Sequence, residues 1–412
     1  MEKSAQARRE AKIKRFVTAE TLGVPDRVPT FTVSGFFPTK LTGMTVKDAF
    51  YDQEKWLEAN RKYLEVYDPD MYFAPSSASG AVHDILETTQ IMWPGNGVDD
   101  NASFQFVEGE YMTQAEYDMF LNDPSDFNLR VYLPRIHKAL AGFANLPPLL
   151  SIARGYNSPF LGAFANPELV QSLEKLVEAA KVQAQWSKAY AGFEQEASAN
   201  GHVNLIGGIT LAPFDSISDT LRGMKGTMFD MFQEPDKLLA AQDKLLPLLI
   251  NAAIGMTKAT KNPRVFIPLH RGADGFMSVK QFEKFYWPYL KKLIEAITDA
   301  GCIAYPFFEG TYDARLEYLQ ELPSGKTVAW FDRSDMVRVK EVLGGKICIA
   351  GGMPITLLQT STVAGVKEYT KQMIEAVGQD GGFIMTPSCA LDEAEPELLK
   401  AWQDAVNEFG VY

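Results

Sequence analysis

The sequence predicts an α/β chain folded as a (β/α)8 TIM barrel with a helical insertion over the mouth. Three observations carry that expectation. Eight short apolar or β-branched runs alternate with amphipathic stretches, the pattern of parallel strands joined by helical crossovers. No G-x-G-x-x-G follows the first run and no G-x-x-x-x-G-K occurs, which argues against a doubly wound nucleotide-binding sheet. The 412 residues, 46% of them hydrophobic, suffice for one large core, and no Ser/Gly-rich or Pro-rich linker divides them, so 1–412 reads as a single domain.

In order, the strand runs lie at 28–34, 70–74, 207–211, 265–269, 302–308, 327–331, 347–350 and 383–385. Helical stretches at 279–300, 312–321, 336–343, 363–377 and 395–409 alternate with the later runs. The interval 75–202 is too long for a simple crossover and reads as a mostly helical extension at the barrel mouth. It holds an Asp/Asn/Gly-rich stretch at 95–103, a further apolar run at 149–153 and a long helix opening with Asn166-Pro167-Glu168. There Asn can cap, Pro suits the first helical position and Glu suits the N-terminal dipole. The first sixteen residues, charged throughout, read as a solvated leading helix.

Forty Lys plus Arg against 52 Asp plus Glu give a formal charge of −12, which disfavours nucleic acid and anionic lipid as partners. The three cysteines, Cys302, Cys348 and Cys389, are too few for a disulfide framework and fit a cytoplasmic location. No stretch of ~20 apolar residues suggests a membrane span, and no secretory leader is evident. The oligomeric state stays open, with a homodimer among the options.

Chemistry in a barrel sits at the C-terminal strand ends. The first polar residues after the runs are Ser34, Asp215, His270, Glu309, Asp332 and Cys389, while the seventh run ends in Gly351-Gly352-Met353. His270 closes an apolar strand and is either a ligand or a hydrogen-bonded turn group. Glu309 directly follows Tyr305-Pro306-Phe307-Phe308, where a carboxylate is costly to desolvate unless it is paired or bound to a cation. Cys302 and Cys348 fall within apolar runs and read as core, which leaves Cys389 as the thiol at the mouth. One imidazole, one carboxylate and one thiolate suit an open zinc site, and the same three suit a nucleophilic triad. The other histidines, His83, His137 and His202, read as structural. Phe36, Phe37, Tyr312 and Trp330, with Met353, read as a sandwich for a planar apolar ligand.

These strand ends resemble the uroporphyrinogen decarboxylase superfamily over nearly the whole chain. The matching stretches are Asp26-Arg27-Val28-Pro29, Asp219-Thr220-Leu221-Arg222-Gly223, the aromatic segment from Val279 to Pro288, Glu309-Gly310 and Ile349-Ala350-Gly351-Gly352-Met353-Pro354. The resemblance implies a (β/α)8 barrel. True decarboxylases of the family carry Arg-Gln-Ala-Gly-Arg after the first strand, whereas this chain reads Val33-Ser34-Gly35-Phe36-Phe37-Pro38-Thr39. Without those arginines a polycarboxylate would lose its cationic clamp.

The other branch, corrinoid-dependent zinc methyltransferases, places His-x-Cys after the fifth strand and a Cys after the eighth. Here Phe307 stands at the His position, Glu309 at the middle Cys and Cys389 at the last. The resemblance therefore implies a methyltransferase of the aryl methyl ether O-demethylase type, which moves a methyl group from a small methoxylated aromatic to a corrinoid on a partner protein. Expected ligands of Zn2+ are Glu309, Cys389 and His270, with Asp215 or Asp332 orienting a ring hydroxyl. A methylcobamide:thiol methyltransferase and a decarboxylase-like lyase are the alternatives.

Overall fold

The computed structural model describes residues 4–75, 79–148 and 158–412. The apolar run at 149–153 therefore lies outside the described residues. Eight parallel strands occur where the sequence places them: β1 Phe31–Thr32, β2 Met71–Tyr72, β3 Gly208–Ile209, β4 Arg264–Leu269, β5 Ile303–Phe308, β6 Val328–Phe331, β7 Cys348–Met353 and β8 Phe383–Pro387. Strands β3 to β8 form one six-stranded parallel sheet in sequential order, and β1 pairs with β2 apart from it. Single parallel bridges join the two pieces, Thr30 to Met385 on one side and Tyr72 to Asn204 on the other. The arrangement is barrel-like. The first three strands are shorter than the sequence predicts, because their ladders reduce to two pairs each; β7 is longer, with Gly351 and Gly352 still paired to β8.

Alternation within the strands sorts the core into two layers. Inward residues Phe31, Met71, Tyr305, Phe307, Val328, Trp330, Cys348, Ala350 and Ile384 pack together. Outward residues such as Val265, Ile267, Leu269, Phe308, Ala329, Phe331, Ile349 and Met385 pack with the surrounding helices. The period of two has a direct consequence for the site. Two residues above inward Phe307 and Trp330 stand Glu309 and Asp332, so both carboxylates rise from the rim of the barrel.

Helix α1, Ala5–Glu20, is not the solvated arm the charge pattern suggests. Lys12, Phe16, Ala19 and Glu20 are buried. Glu20 accepts from Arg264 Nε at 2.5 Å and Nη2 at 3.0 Å, and from the Tyr305 hydroxyl, so the helix closes the N-terminal end of the barrel. In the extension the long helix α2, Pro167–Ala199, is capped as expected, with the Asn166 side chain accepting from Glu168 N and Leu169 N. The extension also contains a three-stranded sheet formed by Ile91–Pro94, Gly97–Val98 and Gln105–Phe106, which the sequence reading missed.

Helix α3, Pro235–Thr260, corrects another expectation: among the described residues it alone is long and apolar enough to cross a membrane, with a mean hydropathy of 1.3 over its most apolar window. Its Leu238, Ala241, Ala253 and Thr257 are buried, and Gly208 of β3 lies against Ala253 and Thr257. An outer helix of a barrel meets the same length and composition test.

Candidate active site

Most of the mouth chemistry is built on one turn. After β3 the chain enters a short helix, Pro213–Ser216, that continues as a π-helical turn, Ile217–Leu221. Asp215 and Asp219 thereby fall on the face toward the end of β4. Asp215 is fully buried. It accepts from His270 N at 3.1 Å, Arg271 N at 3.0 Å and the Tyr286 hydroxyl at 2.6 Å. Burial, reinforced by Asp219, pushes its carboxyl up to about 7, despite those donors.

Asp219 takes the side chains of the same two residues. His270 Nδ1 lies 2.5 Å from one carboxylate oxygen and Arg271 Nη2 lies 3.0 Å from the other. Arg271 Nε also donates to Ser218 Oγ at 2.9 Å. Burial works against the charged imidazole, but Asp219, Asp215 and Glu309 outweigh it and lift His270 to about 9. Its Nε2 faces Glu309 Oε1 at 3.6 Å. Burial raises Glu309 above the usual carboxylate range, with His270 opposing and Asp332 adding to the rise.

A second cluster lies at the ends of β6 to β8. Asp332, Arg333, Met336, Met353, Tyr369, Met373, Ser388 and Cys389 are among the residues around a cavity of ≈ 680 Å³. Asp332 accepts from Gly310 N at 3.0 Å, so it joins the cavity to the Glu309 turn. Burial pushes the Cys389 thiol up to about 11, and Asp332 adds to the effect. At neutral pH the group is a thiol, and it points to the Ala390 carbonyl at 3.5 Å.

The structure thus brings together Asp215, His270 and Glu309 on one side and Asp332, Met353 and Cys389 on the other. The zinc set His270, Glu309 and Cys389 is not assembled: among the described residues no three His, Cys, Asp or Glu side chains are placed to share a metal ion. Cys389 neighbours Asp332 and Asp392 instead of His270 and Glu309. Zinc does not fit the residues present.

The predicted aromatic sandwich needs correction as well. Trp330 is 2% exposed and stacks on Phe307 at 3.9 Å inside the barrel. It belongs one layer below the mouth because inward positions alternate with the rim. Phe36 packs on Phe50 and Trp56 beneath the extension, and Phe37 packs on Tyr63 and Tyr67. Tyr312 is fully buried against Phe308. These side chains support the walls. The apolar floor facing the rim includes Phe73, Phe266 and Phe307 in its place, with Phe73 and Phe266 in edge contact at 5.1 Å.

Asp219, Arg271, Tyr286 and Asp392 were absent from the predicted site. Asp392 accepts from Phe36 N at 2.5 Å and leaves no room for a Cβ on Gly35, whose φ is +52°. A signal existed for Asp219: it lies four residues after Asp215, one helical turn on.

The arrangement is a barrel-like α/β fold whose rim carries acidic groups and an imidazole, and comparisons with known proteins place it further. The uroporphyrinogen decarboxylase (URO-D) family matches residues 153–409. The chain belongs to that family. A uroporphyrinogen decarboxylase from Flavobacterium johnsoniae is 24% identical over 217 residues, spanning 51% of this chain and 61% of that protein. A methyltransferase from Methanosarcina mazei has the same fold, with a TM-score of 0.61 at 15% identity over 97% of this chain and 98% of that one. A B12-independent methionine synthase from Shewanella overlaps 48% of this chain and 59% of its own at a TM-score of 0.34, too low to carry weight.

Proposed function

We propose that the chain is a methyltransferase that takes the methyl group of a small methoxylated aromatic and passes it to a corrinoid carried by a separate protein, at the mouth of a closed eight-stranded barrel. The fold shared with the Methanosarcina methyltransferase supports the reaction class. The observation that carries the choice of substrate is the charge of the rim. Asp215, Asp219, Glu309, Asp332 and Asp392 gather there, and Arg271 is already committed to Asp219 and Ser218. A porphyrinogen with many carboxylates would meet repulsion and, among the described residues, a shortage of cations, the exposed Arg333 beside Asp332 standing against five carboxyl groups. A neutral ring over the apolar floor meets neither obstacle.

The corrinoid, when brought by its partner, supplies the nucleophilic acceptor for the methyl group. This chain's residues bind and orient the donor. The cavity beside Met336, Met353, Met373 and Tyr369 offers soft apolar walls for a ring, and Asp332 on its edge is placed to accept from a ring hydroxyl. Cys389, protonated and hydrogen-bonded locally, lends no support to a thiol-activating alternative.

The test is optical and chemical together. Reduced cobalt(I) corrinoid is mixed with the enzyme and a panel of methoxybenzenes, and loss of the cobalt(I) band is followed beside phenol release. Coupled loss and release with at least one ether supports the assignment. Neither signal with any aryl ether would overturn it.

A further inference from the structure

An aryl methyl ether resists cleavage because its leaving group is a phenolate, and the usual remedy is a Lewis acid or a proton at the ether oxygen. The described residues assemble no metal-binding trio. They do assemble a hydrogen-bonded His–Asp pair on the neighbouring part of the rim, linked to the cavity through Glu309 and the Gly310–Asp332 hydrogen bond.

We propose that His270 and Asp219 form a metal-independent proton-donating pair for the leaving oxygen, with His270 as the catalytic acid and Asp219 as its positioning residue. The geometry argues for it from both sides of the ring. Asp219, an acceptor at 2.5 Å from Nδ1, fixes the hydrogen on that nitrogen. Nε2 is left facing the rim, 3.6 Å from Glu309, on a side chain that is 32% exposed. The backbone beneath is held as firmly: one Asp215 carboxylate takes the N–H groups of both His270 and Arg271. Arg271 in turn ties Asp219 and Ser218 together, so the carboxylate cannot swing away from the imidazole. Ser218 is fully buried, and the Asp219 side chain is 19% exposed. A ring nitrogen braced by a carboxylate, with its other nitrogen on a part-exposed rim, is the arrangement that orients a general acid.

The step balances without an added reagent beyond the methyl acceptor. The bond between methyl carbon and aryl oxygen breaks with its pair remaining on oxygen. The acceptor provides the pair for the new bond to carbon. The proton on His270 Nε2 moves to the phenolate oxygen, leaving a neutral imidazole that is recharged from solvent. The role rests on the methyl-transfer activity proposed above, so its test includes measurements that need no methyl donor.

In the first, the full chain is labelled with 15N-histidine; its four histidines allow assignment by His270→Gln. The expected spectrum shows Nδ1 of His270 protonated with a strongly deshielded proton, lost in Asp219→Ala and altered in the near-isosteric Asp219→Asn. A His270 ring protonated on Nε2 alone, or unchanged in both variants, overturns the pairing. In the second, zinc is titrated calorimetrically into metal-free protein. One-to-one uptake abolished by His270→Gln or Cys389→Ser overturns metal independence, and its absence supports it.

The third uses anisoles with leaving phenols of graded acidity. Wild-type rates depend weakly on phenol acidity. Asp219→Asn loses on the order of 10²-fold or more with poor leaving groups, recovers with electron-poor ones and keeps KM. An equal loss across the series would mark Asp219 as merely structural and overturn its role. If no anisole reacts while the first two experiments succeed, the methyl-donor assignment fails and the paired acid stands.

Discussion

The two ends of the barrel both bury charge, and they treat it oppositely. At the N-terminal end Glu20, Arg264 and Tyr305 are at most 6% exposed, and Glu20 is met by the guanidinium of Arg264 and the hydroxyl of Tyr305. Nearby Asp70 takes Arg15, two bonds from Arg27 and the Thr30 N–H. At the mouth, carboxylates outnumber the cations. Asp215 meets two backbone N–H groups and a phenol, and Asp215, Glu309, Asp332 and Asp392 are all raised above their ordinary range, burial being the largest cause in each. A matched end serves stability; a mismatched end, with its carboxyl groups raised above their ordinary range, suits chemistry.

Breaking the matched end should have the largest effect. Glu20→Ala leaves Arg264 buried without its counter-ion, a loss of about 3–5 kcal/mol. Urea denaturation would show it as a lowered midpoint, with methyl transfer per folded molecule unchanged. A cost below about 1 kcal/mol would mean that α1 plugs the barrel through Phe16 and Ala19 alone.

The mismatched end should reveal itself in the pH dependence. An unfolded Asp215 gives up its proton near 3.8, while the folded one keeps it to about 7. The native state therefore holds more protons over that window, and stability falls as pH rises through it. His270 acts in the same direction at higher pH. Its folded value of about 9 exceeds 6.5, so its contribution is fully present below 6.5 and is lost as pH rises toward 9. The thermal midpoint of the wild type should fall from pH 4 to 9, and Asp215→Asn should flatten the lower part. Parallel curves for the two proteins would show that Asp215 does not carry the slope.

The contrast also explains what the sequence made legible. Strand positions followed from apolar runs, and alternation sent His270, Glu309 and Asp332 to one rim, because a period of two fixes the face of every residue once the run is placed. Counting from the end of a run fixed direction but not depth. Trp330 therefore looked like a mouth residue and proved to lie in the layer below, stacked on Phe307. Nor can spacing show which partner a side chain takes: His270 could face a metal or Asp219, 51 positions away. The charges of α1 failed as a guide for the same reason. Lys12 and Arg15 read as solvated, yet their partners Asp68 and Asp70 are remote in sequence.

A smaller effect tests what supports the floor. Trp330 Nε1 is buried without a hydrogen-bond partner, so Trp330→Phe gives up stacking on Phe307 and some volume but no hydrogen bond. The expected change in stability is about 1–2 kcal/mol. A loss above about 3 kcal/mol, measured by denaturant titration, would show that the indole N–H has a partner such as an internal water.

The smallest effect is expected at Cys389, and it separates the two halves of the mouth most cleanly. A thiol held up to about 11 contributes little thiolate at pH 7, so alkylation by iodoacetamide should run on the order of 10²-fold slower than for a free cysteine. Cys389→Ser keeps the volume close and the local hydrogen bond available, so stability should stay within about 0.5 kcal/mol and methyl transfer within about twofold. The two readouts constrain each other. Fast alkylation with unchanged transfer would mean only that the cavity beside Asp332 is wetter than its walls suggest. A tenfold or greater loss of transfer in Cys389→Ser would instead move the chemistry from the β4–β5 side of the rim to the β8 side and return the thiol to the reacting centre.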